Sequence, residues 1–360
     1  NDNRMTFIFL NISLSVIMST VLADINPRLI YVAPICIFPL LTKTFFDSRL
    51  AFFIHIVSVI IISFTVFNGF EYIFIQILAG IISILSTSKI YKRANLFISV
   101  SQITFMYFLG YIIFYLLSSG NIEKIDLSQF GFFLANGMLT LFVLPLIYLY
   151  EKIFFLVSDV SLLELSDTNS PLLKELSDKA PGTFHHSLQV ANLSEACANE
   201  INANSLLTRV GALYHDIGKI QKPNFFSENQ MGGISPHDEL SPEESVKIII
   251  SHVTNGITLG KKNKLPDRIV DFIRTHHGTS KVYFFYKKQI ELNPNSDFKK
   301  FTYPGPKPFS KETSIVMMAD AIEAASKSLK EPSFEILDEF VHKIINQQMN
   351  EGQFINSNIT

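Results

Sequence analysis

The sequence has no tryptophan, only two cysteines and few charged residues. Cys36 and Cys197 are too few for a disulfide framework and fit no zinc-binding spacing. Cys197 lies in an amphipathic segment, where we expect a small buried core residue. A net charge of −2 shows no basic excess, so duplex nucleic acid is not an expected partner.

The shortage of charge is confined to one part of the chain. Residues 1–157 carry 16 charged side chains, whereas the remaining 203 residues carry 46. The first part also holds 21 of the 33 phenylalanines. We therefore predict a transmembrane bundle over 1–157, a linker or signalling stalk over 158–178, and a separate domain over 179–360.

Six apolar segments in the first part approach the ~20 residues that a helix needs to cross a lipid bilayer. They cover 5–22, 29–46, 50–67, 72–87, 96–117 and 130–150. The second is the weakest because Pro34 and Pro39 interrupt it, and five crossings are the main alternative. One set of loops holds seven basic residues and the opposite set holds two, which places the first set in the cytoplasm. With six crossings, the domain after the bundle is then cytoplasmic.

Two further features of the first part bear on its role. The chain begins with Asn1 and reaches an apolar segment within a few residues, so we expect a fragment whose upstream part is absent. His55 is an ionisable residue in a predicted span, where it is either functional or packed. Packing or an interfacial position is favoured because His55 lies one turn from a helix end. No acidic or basic pair lines a path through the spans, so transport is the weakest alternative.

After residue 178 the sequence predicts an all-α domain, because helix signals recur and no long period-2 alternation is present. Ser241 and Glu244 form a capping box around Pro242 and open one helix that runs through His252. Another helix begins at Pro266 and ends at His277 and Gly278. Further helices are predicted over 183–199, 204–217 and 311–329.

Histidines and aspartates recur in or at the ends of these predicted helices. The set comprises one of the adjacent His185 and His186, together with His215, Asp216, His252, His276, His277 and Asp320. A lone inward-facing histidine is usually a hydrogen-bonded core residue, but a His-Asp pair and a His-His pair at helix ends are unusual as packing. Five imidazoles and two carboxylates without a thiolate suit a pair of cations such as iron or manganese.

The motifs around these residues resemble one protein family. They are PGTFHHS at 181–187, RVGALYHDIGK at 209–219, SPHDELSP at 235–242, IIISHVTNG at 248–256, HHGT at 276–279, YPGPKP at 303–308 and ADAIEAASKSL at 319–329. The pattern is similar to the HD-domain phosphohydrolases and, more narrowly, to the seven-transmembrane HD family of bacterial membrane enzymes. That family carries a multi-span bundle before its HD domain, so the resemblance covers the whole chain.

The resemblance implies a metal site, a substrate and a location. Asp216 would bridge two divalent ions, with His186, His215 and Asp320 on one ion and His252, His276 and His277 on the other. His185 would only support or pack. The substrate would be cyclic di-AMP, which a hydroxide shared by the two ions would open to linear pApA. The location would be the bacterial inner membrane, and an upstream extracellular domain is expected in such proteins. The oligomeric state is left open, including a homo-oligomer.

Substrate contacts are less defined than metal ligands. Lys219 lies one turn beyond Asp216 and is either a partner for a phosphate oxygen, which we favour, or a solvated lysine. His237 lies in a loop that either overhangs the site or is only structural. Tyr303 belongs either to a rigid surface loop or to a wall of the nucleotide pocket.

Two other functions compete with this prediction. The HD-GYP class cleaves cyclic di-GMP and carries Gly-Tyr-Pro after its His-His pair, whereas His276 and His277 are followed here by Gly-Thr-Ser. A non-catalytic receptor would bind the nucleotide and signal through the membrane, but such degenerate domains lack ligands that are all present here.

Overall fold

The computed structural model describes residues 2–86, 93–120, 125–230, 232, 235–329 and 333–359. The chain divides into two compact units, Asn1–Val160 and Ser161–Thr360. Both units are helical, and over the described residues the pairing of extended backbone is limited to one isolated bridge, between Lys281 and Thr302. The predicted all-α fold class is confirmed.

The first unit contains the apolar helices. They are α1 (Asp2–Ile25), α2 (Ile37–Phe45), α3 (Ser48–Ser63), α4 (Gly69–Ser86), α5 (Arg93–Ser119), α6 (Ser128–Thr140) and α7 (Val143–Phe154). Within the described residues, four segments are long and apolar enough to cross a membrane, or five if the bent pair α6 and α7 counts as one. The segment predicted over 50–67 corresponds to α3, which is apolar but only 16 residues long. The count of six stays a prediction, and the loop residues 87–92 and 121–124 used to orient it lie outside the described residues.

The second predicted span is broken in the way its prolines suggest. A 3-10 helix over Pro27–Val32 precedes α2, and the backbone between them is irregular. Asn136 on α6 donates hydrogen bonds to the carbonyls of Tyr31 and Ala33 at 3.0 and 2.6 Å, which satisfies backbone groups that the break leaves free. Pro145 accounts for the 44° bend between α6 and α7, because its ring clashes with the backbone carbonyl four residues earlier and it has no N–H to donate to that carbonyl.

His55 is a packing residue in this unit. It is 1% exposed, and its Nε2 lies 2.9 Å from the Gln76 carbonyl oxygen on α4. A Cβ at Gly80 would lie 2.0 Å from the same nitrogen, so the glycine makes room for the ring. The favoured interpretation of His55 as a packed side chain agrees with this burial.

The second unit is built from short helices. They are α8 (Asp159–Leu165) at its boundary, α9 (Pro171–Lys179), α10 (Pro181–Glu200), α11 (Ser205–Tyr214), α12 (Pro242–Lys262), α13 (Asp267–Thr275), α14 (Tyr283–Leu292), α15 (Lys311–Ser326) and α16 (Phe334–Asn350). The capping box at Ser241 is present as predicted. The helix predicted over 204–217 ends earlier, at Tyr214, so His215 and Asp216 leave the helix.

Part of the predicted linker is folded. Leu172, Leu173 and Leu176 on α9 are buried, and α9 packs against α10. The hydroxyl group of Tyr214 donates to the Leu165 carbonyl at 3.0 Å and lies 3.1 Å from Ser170 Oγ. The second half of the stretch 158–178 therefore packs onto the helices that carry the histidines. Its role as a stalk stays a prediction.

The packing around α10 and α12 sets the frame of the histidine cluster. Helix α10 packs against α11 and α15, and α12 packs against α13 and a 3-10 turn over Ile217–Gln221. A Cβ at Gly218 in that turn would lie 1.8 Å from the His252 carbonyl oxygen, so only glycine allows this approach.

The prediction for Cys197 is wrong, since its side chain is exposed on α10. An amphipathic pattern does not fix which edge of the helix is covered.

Candidate metal centre

Five helices of the second unit bring the seven predicted ligands together. His186 lies on α10, His252 on α12 and Asp320 on α15. His215 and Asp216 follow the last residue of α11, and His276 and His277 follow the last residue of α13. Gly278 then adopts a left-handed backbone with φ +49°, which turns the chain away. Six of the seven side chains are at most 9% exposed, and His277 is 25% exposed.

The ligand atoms form two groups of three that share no residue, and a third group, His215, Asp216 and His276, joins them. The first consists of His186, His215 and Asp320, and the second consists of His252, His276 and His277. Within each group the ligand atoms all lie within 4.8 Å of one another. The exposed His185 lies outside both groups, whereas the buried His186 belongs to the first group.

Asp216 lies between the two groups and turns one carboxylate oxygen toward each. Its Oδ2 lies 3.3 Å from His215 Nε2 and 3.7 Å from His186 Nε2. Its Oδ1 lies 3.3 Å from His252 Nε2 and 3.6 Å from His276 Nε2. A carboxylate in this position can bridge two cations.

Backbone hydrogen bonds direct the free nitrogens of three histidines into the cluster. Nδ1 of His215 lies 2.6 Å from the Ala212 carbonyl oxygen, and Nδ1 of His252 lies 2.6 Å from that of Ile249. Nδ1 of His276 lies 2.9 Å from the Ile273 carbonyl oxygen. A carbonyl only accepts, so in the neutral ring Nδ1 holds the hydrogen and Nε2 offers a lone pair.

A cation between these nitrogens would use their lone pairs. His252 Nε2 and His276 Nε2 lie 3.2 Å apart, although neither holds a hydrogen in that tautomer. His215 Nε2 and Asp216 Oδ1 are buried without a hydrogen-bond partner. Unpaired buried acceptors are costly, and a divalent ion in each group would satisfy them. The nitrogen and oxygen donors therefore fit the two-cation site that the sequence predicts.

The two groups differ in charge before any cation binds. Burial lowers the pKa of His215, but the charges of Asp216 and Asp320 outweigh it and raise the pKa to about 10. The pKa of His186 is raised against burial by Asp320 and Glu323. In the second group, burial lowers the pKa of His252 to about 3 and holds that of His277 well below its usual value.

Two acidic residues that the sequence did not single out complete the centre. Glu323 Oε2 accepts a hydrogen bond from His186 Nδ1 at 2.5 Å. Glu228 Oε1 accepts from Lys219 Nζ at 2.7 Å and from Thr183 Oγ1 at 3.0 Å. The spacing of Glu323 one turn after Asp320 on α15 was a usable signal, whereas nothing near Glu228 in the sequence points to Lys219.

Lys219 faces Asp216 instead of open solvent. Its Nζ lies 2.7 Å from Asp216 Oδ2, and its side chain is 12% exposed. Burial lowers the pKa of Lys219, but the charges of Asp216 and Glu228 raise it by more than burial lowers it. The ammonium therefore keeps its charge. Asp216 in turn has a pKa held well below its usual value, against burial, by Lys219 and His215. Two of the three ammonium hydrogens are used, which leaves one for a ligand.

A cavity of about 600 Å³ opens onto the cluster. Its lining includes His186, His277, Asp320, Lys219 and Lys281. Helix α16 supplies another wall through Ile344, Gln347 and Gln348.

The two other predicted substrate contacts, Tyr303 and His237, are not among the residues that line this cavity. Tyr303 is 7% exposed, and its ring packs on His277 with centroids 4.2 Å apart. It therefore supports the imidazole of a predicted metal ligand. His237 lies between the rings of Phe225 and Phe285, and it lines a separate cavity of about 370 Å³.

Comparison with known proteins matches each of the two units to a family model. Residues 1–158 match the family model described as a 7TM receptor with intracellular HD hydrolase, and residues 183–325 match the HD domain model. The chain belongs to the seven-transmembrane HD family. It is 37% identical over 339 residues to the cyclic-di-AMP phosphodiesterase PgpH of Listeria monocytogenes, covering 92% of this chain and 46% of that protein. It is also 37% identical to PgpH of Bacillus subtilis, covering 92% of this chain and 48% of that protein.

A solved structure of an HD domain is also similar to this chain. The second unit, Ser161–Thr360, is called the HD unit below. The crystal structure of the L. monocytogenes PgpH HD domain with cyclic di-AMP is 48% identical, with a TM-score of 0.53. The match covers 54% of this chain and 91% of the crystallised one. The chain spans about half the length of the curated relatives it matches.

Proposed function

We propose that this seven-transmembrane HD protein is a metal-dependent phosphodiesterase that hydrolyses cyclic di-AMP to linear pApA. The observation that carries the proposal is Asp216, whose two carboxylate oxygens face different groups of histidines. Together the two groups and Asp216 supply seven protein ligands for two cations. When bound, a pair of divalent ions activates water and stabilises the charge on a phosphodiester during in-line displacement.

The donor set favours iron or manganese. Imidazole and carboxylate are ligands that both metals accept, and Asp216 and Asp320 supply the negative charge. His186, His215 and Asp320 would hold one ion, and His252, His276 and His277 would hold the other. The named activity of the two PgpH relatives and the cyclic di-AMP in the related crystal structure support the choice of substrate.

The residues around the ligands suit an anionic dinucleotide. Lys219 is charged, lines the cavity and has one ammonium hydrogen free for a phosphate oxygen. Lys281 lines the same cavity and adds a positive charge at its rim. Hydrolysis adds one water across a single P–O3′ bond, which leaves a 5′-phosphate and frees a 3′-hydroxyl group. Asp216 and Glu228 hold Lys219 in place for this step.

The location follows from the first unit. Its apolar helices place the protein in a membrane, and the basic loops of the sequence place the HD unit in the cytoplasm. We therefore propose a multi-pass protein of the bacterial inner membrane with a cytoplasmic hydrolase.

The proposal is tested with the full chain purified in detergent and supplied with Mn²⁺. Cyclic di-AMP should be converted to pApA, cyclic di-GMP should react more slowly, and Asp216→Ala should lower the rate by several orders of magnitude. Glu339→Gln, on the exposed surface of α16, is the matched control and should keep the wild-type rate. Intact cyclic di-AMP with the wild type, or equal rates for wild type and Asp216→Ala, would contradict the proposal.

A further inference from the structure

The four buried histidines of the centre are oriented by two different kinds of acceptor. His215, His252 and His276 each face a neutral backbone carbonyl oxygen through Nδ1. His186 alone among these four faces a carboxylate, since its Nδ1 lies 2.5 Å from Glu323 Oε2. This difference distinguishes the first group of ligands from the second.

Helix α15 holds the His186 ring from both sides. Asp320 Oδ1 lies 2.9 Å from Nε2, and Glu323 Oε2 contacts Nδ1 from the next turn of the same helix. Residues three apart on a helix lie on one face, so the distance between the two carboxylates is fixed by the helix itself. The side chains of His186 and Glu323 are 4% and 14% exposed, which limits competition from water.

Lys327 completes this arrangement on the outer side. Its Nζ lies 3.0 Å from Glu323 Oε2, four residues earlier in the chain. The ammonium favours the ionised form of the carboxylate, so Glu323 accepts a hydrogen bond from the imidazole and does not donate one. An ionised acceptor on Nδ1 increases the electron density at Nε2, and partners of this kind typically change metal affinity by about 10- to 100-fold.

We propose that Glu323 is a positioning residue that strengthens His186 as a ligand and makes the two cation sites unequal. The site of His186, His215 and Asp320 gains affinity from Glu323, and the site of His252, His276 and His277 does not. This inference rests on the proposed function only in its use of two cation sites.

The test measures cation binding, not hydrolysis. The metal-free full chain in detergent is dialysed against increasing Mn²⁺, and bound Mn²⁺ is counted for wild type, Glu323→Gln and the control Glu339→Gln. Glutamine keeps the size of the side chain and removes its charge. We expect one of the two dissociation constants to rise at least about tenfold in Glu323→Gln, with the other unchanged. The paramagnetic resonance signal of a coupled Mn²⁺ pair should then require correspondingly more Mn²⁺.

Other results would overturn the inference. Unchanged affinity at both sites shows that the carboxylate charge does not act on His186, and equal weakening of both sites shows a general structural role. If Glu323→Gln does not fold, Glu323→Asp, which keeps the charge but shortens the reach, should weaken one site in the same way. Two ions bound by the wild type without hydrolysis of cyclic di-AMP would contradict the proposed function and leave this inference standing.

Discussion

Single residues give the two ligand groups opposite protonation before a cation arrives. His215, with a pKa raised to about 10, holds a proton at neutral pH, and the pKa of His186 is shifted in the same direction. His252, with a pKa lowered to about 3, is neutral, and so is His277. A cation can therefore enter the second group directly, whereas in the first it has to displace the proton of His215.

The pH dependence of metal affinity follows from this difference. The proton on His215 competes with the cation, so binding releases it and is favoured as the pH rises. For one of two Mn²⁺ ions we expect the dissociation constant to fall about tenfold per pH unit for each proton displaced, between about pH 6.5 and 8.5. Calorimetry in buffers of different ionisation enthalpy measures the protons released. Affinity independent of pH at both sites would contradict the assigned protonation.

Sequence reasoning at the scale of single residues picked out the side chains that converge in the structure, but it missed the acidic residues that contact them. His215, Asp216, His276 and His277 stand out because they occur as pairs at helix ends. Glu228 contacts Lys219 through a fold that brings separate turns together, and no spacing in the sequence reports such a contact. For His237 the sequence left open a loop over the site and a purely structural loop, and in the structure aromatic packing with Phe225 and Phe285 holds it beside another cavity.

At the scale of elements, the turn after α11 and the helix α12 determine where Asp216 lies. A Cβ at Gly218 would lie 1.8 Å from the His252 carbonyl oxygen and 2.6 Å from the Gly256 nitrogen. Two backbones therefore meet without side chains between them, two residues after Asp216. The sequence predicted the end of a helix at residue 217 but not the close approach of Gly218 to α12, because that approach depends on tertiary packing.

Replacing this glycine should separate the two elements. Gly218→Ala forces the turn away from α12, which we expect to cost about 1–3 kcal/mol of stability and to weaken Mn²⁺ binding by moving Asp216. Hydrogen exchange of the α12 amides measures the first effect and dialysis measures the second. Gly260→Ala is the control on the same helix, since the nearest atoms to its Cβ would lie at 3.4 Å. Equal behaviour of the two variants would show that the contact does not position Asp216.

Elements were predicted best where local chemistry decides them. Ser241 and Glu244 start α12 as expected, because the capping box is complete within four residues. The break in the second span lies beside Pro34, whereas the support that Asn136 gives to this break comes from another helix and cannot be read from the local sequence. Exposure of Cys197 likewise depends on which helices cover α10.

At the scale of the whole molecule, the uneven charge separates two physical environments. The first unit exposes large apolar side chains such as Phe9, Phe64 and Leu117, which suit contact with lipid. The second unit has ordinary charge density, yet seven of its histidine and aspartate side chains converge on one buried centre. Net charge near zero gives no sign of an anionic substrate, because the proposed cations supply the charge that composition does not count.

The decisive measurement joins metal content to hydrolysis in the full chain. Metal-free protein in detergent is titrated with Mn²⁺, and bound ions and pApA formed from cyclic di-AMP are measured in the same samples. Two ligand groups bridged by Asp216 predict two tightly bound ions per chain, with hydrolysis appearing as the second ion binds. Full hydrolysis with one ion bound or none, or fewer than two ions at saturation, would contradict the two-metal centre.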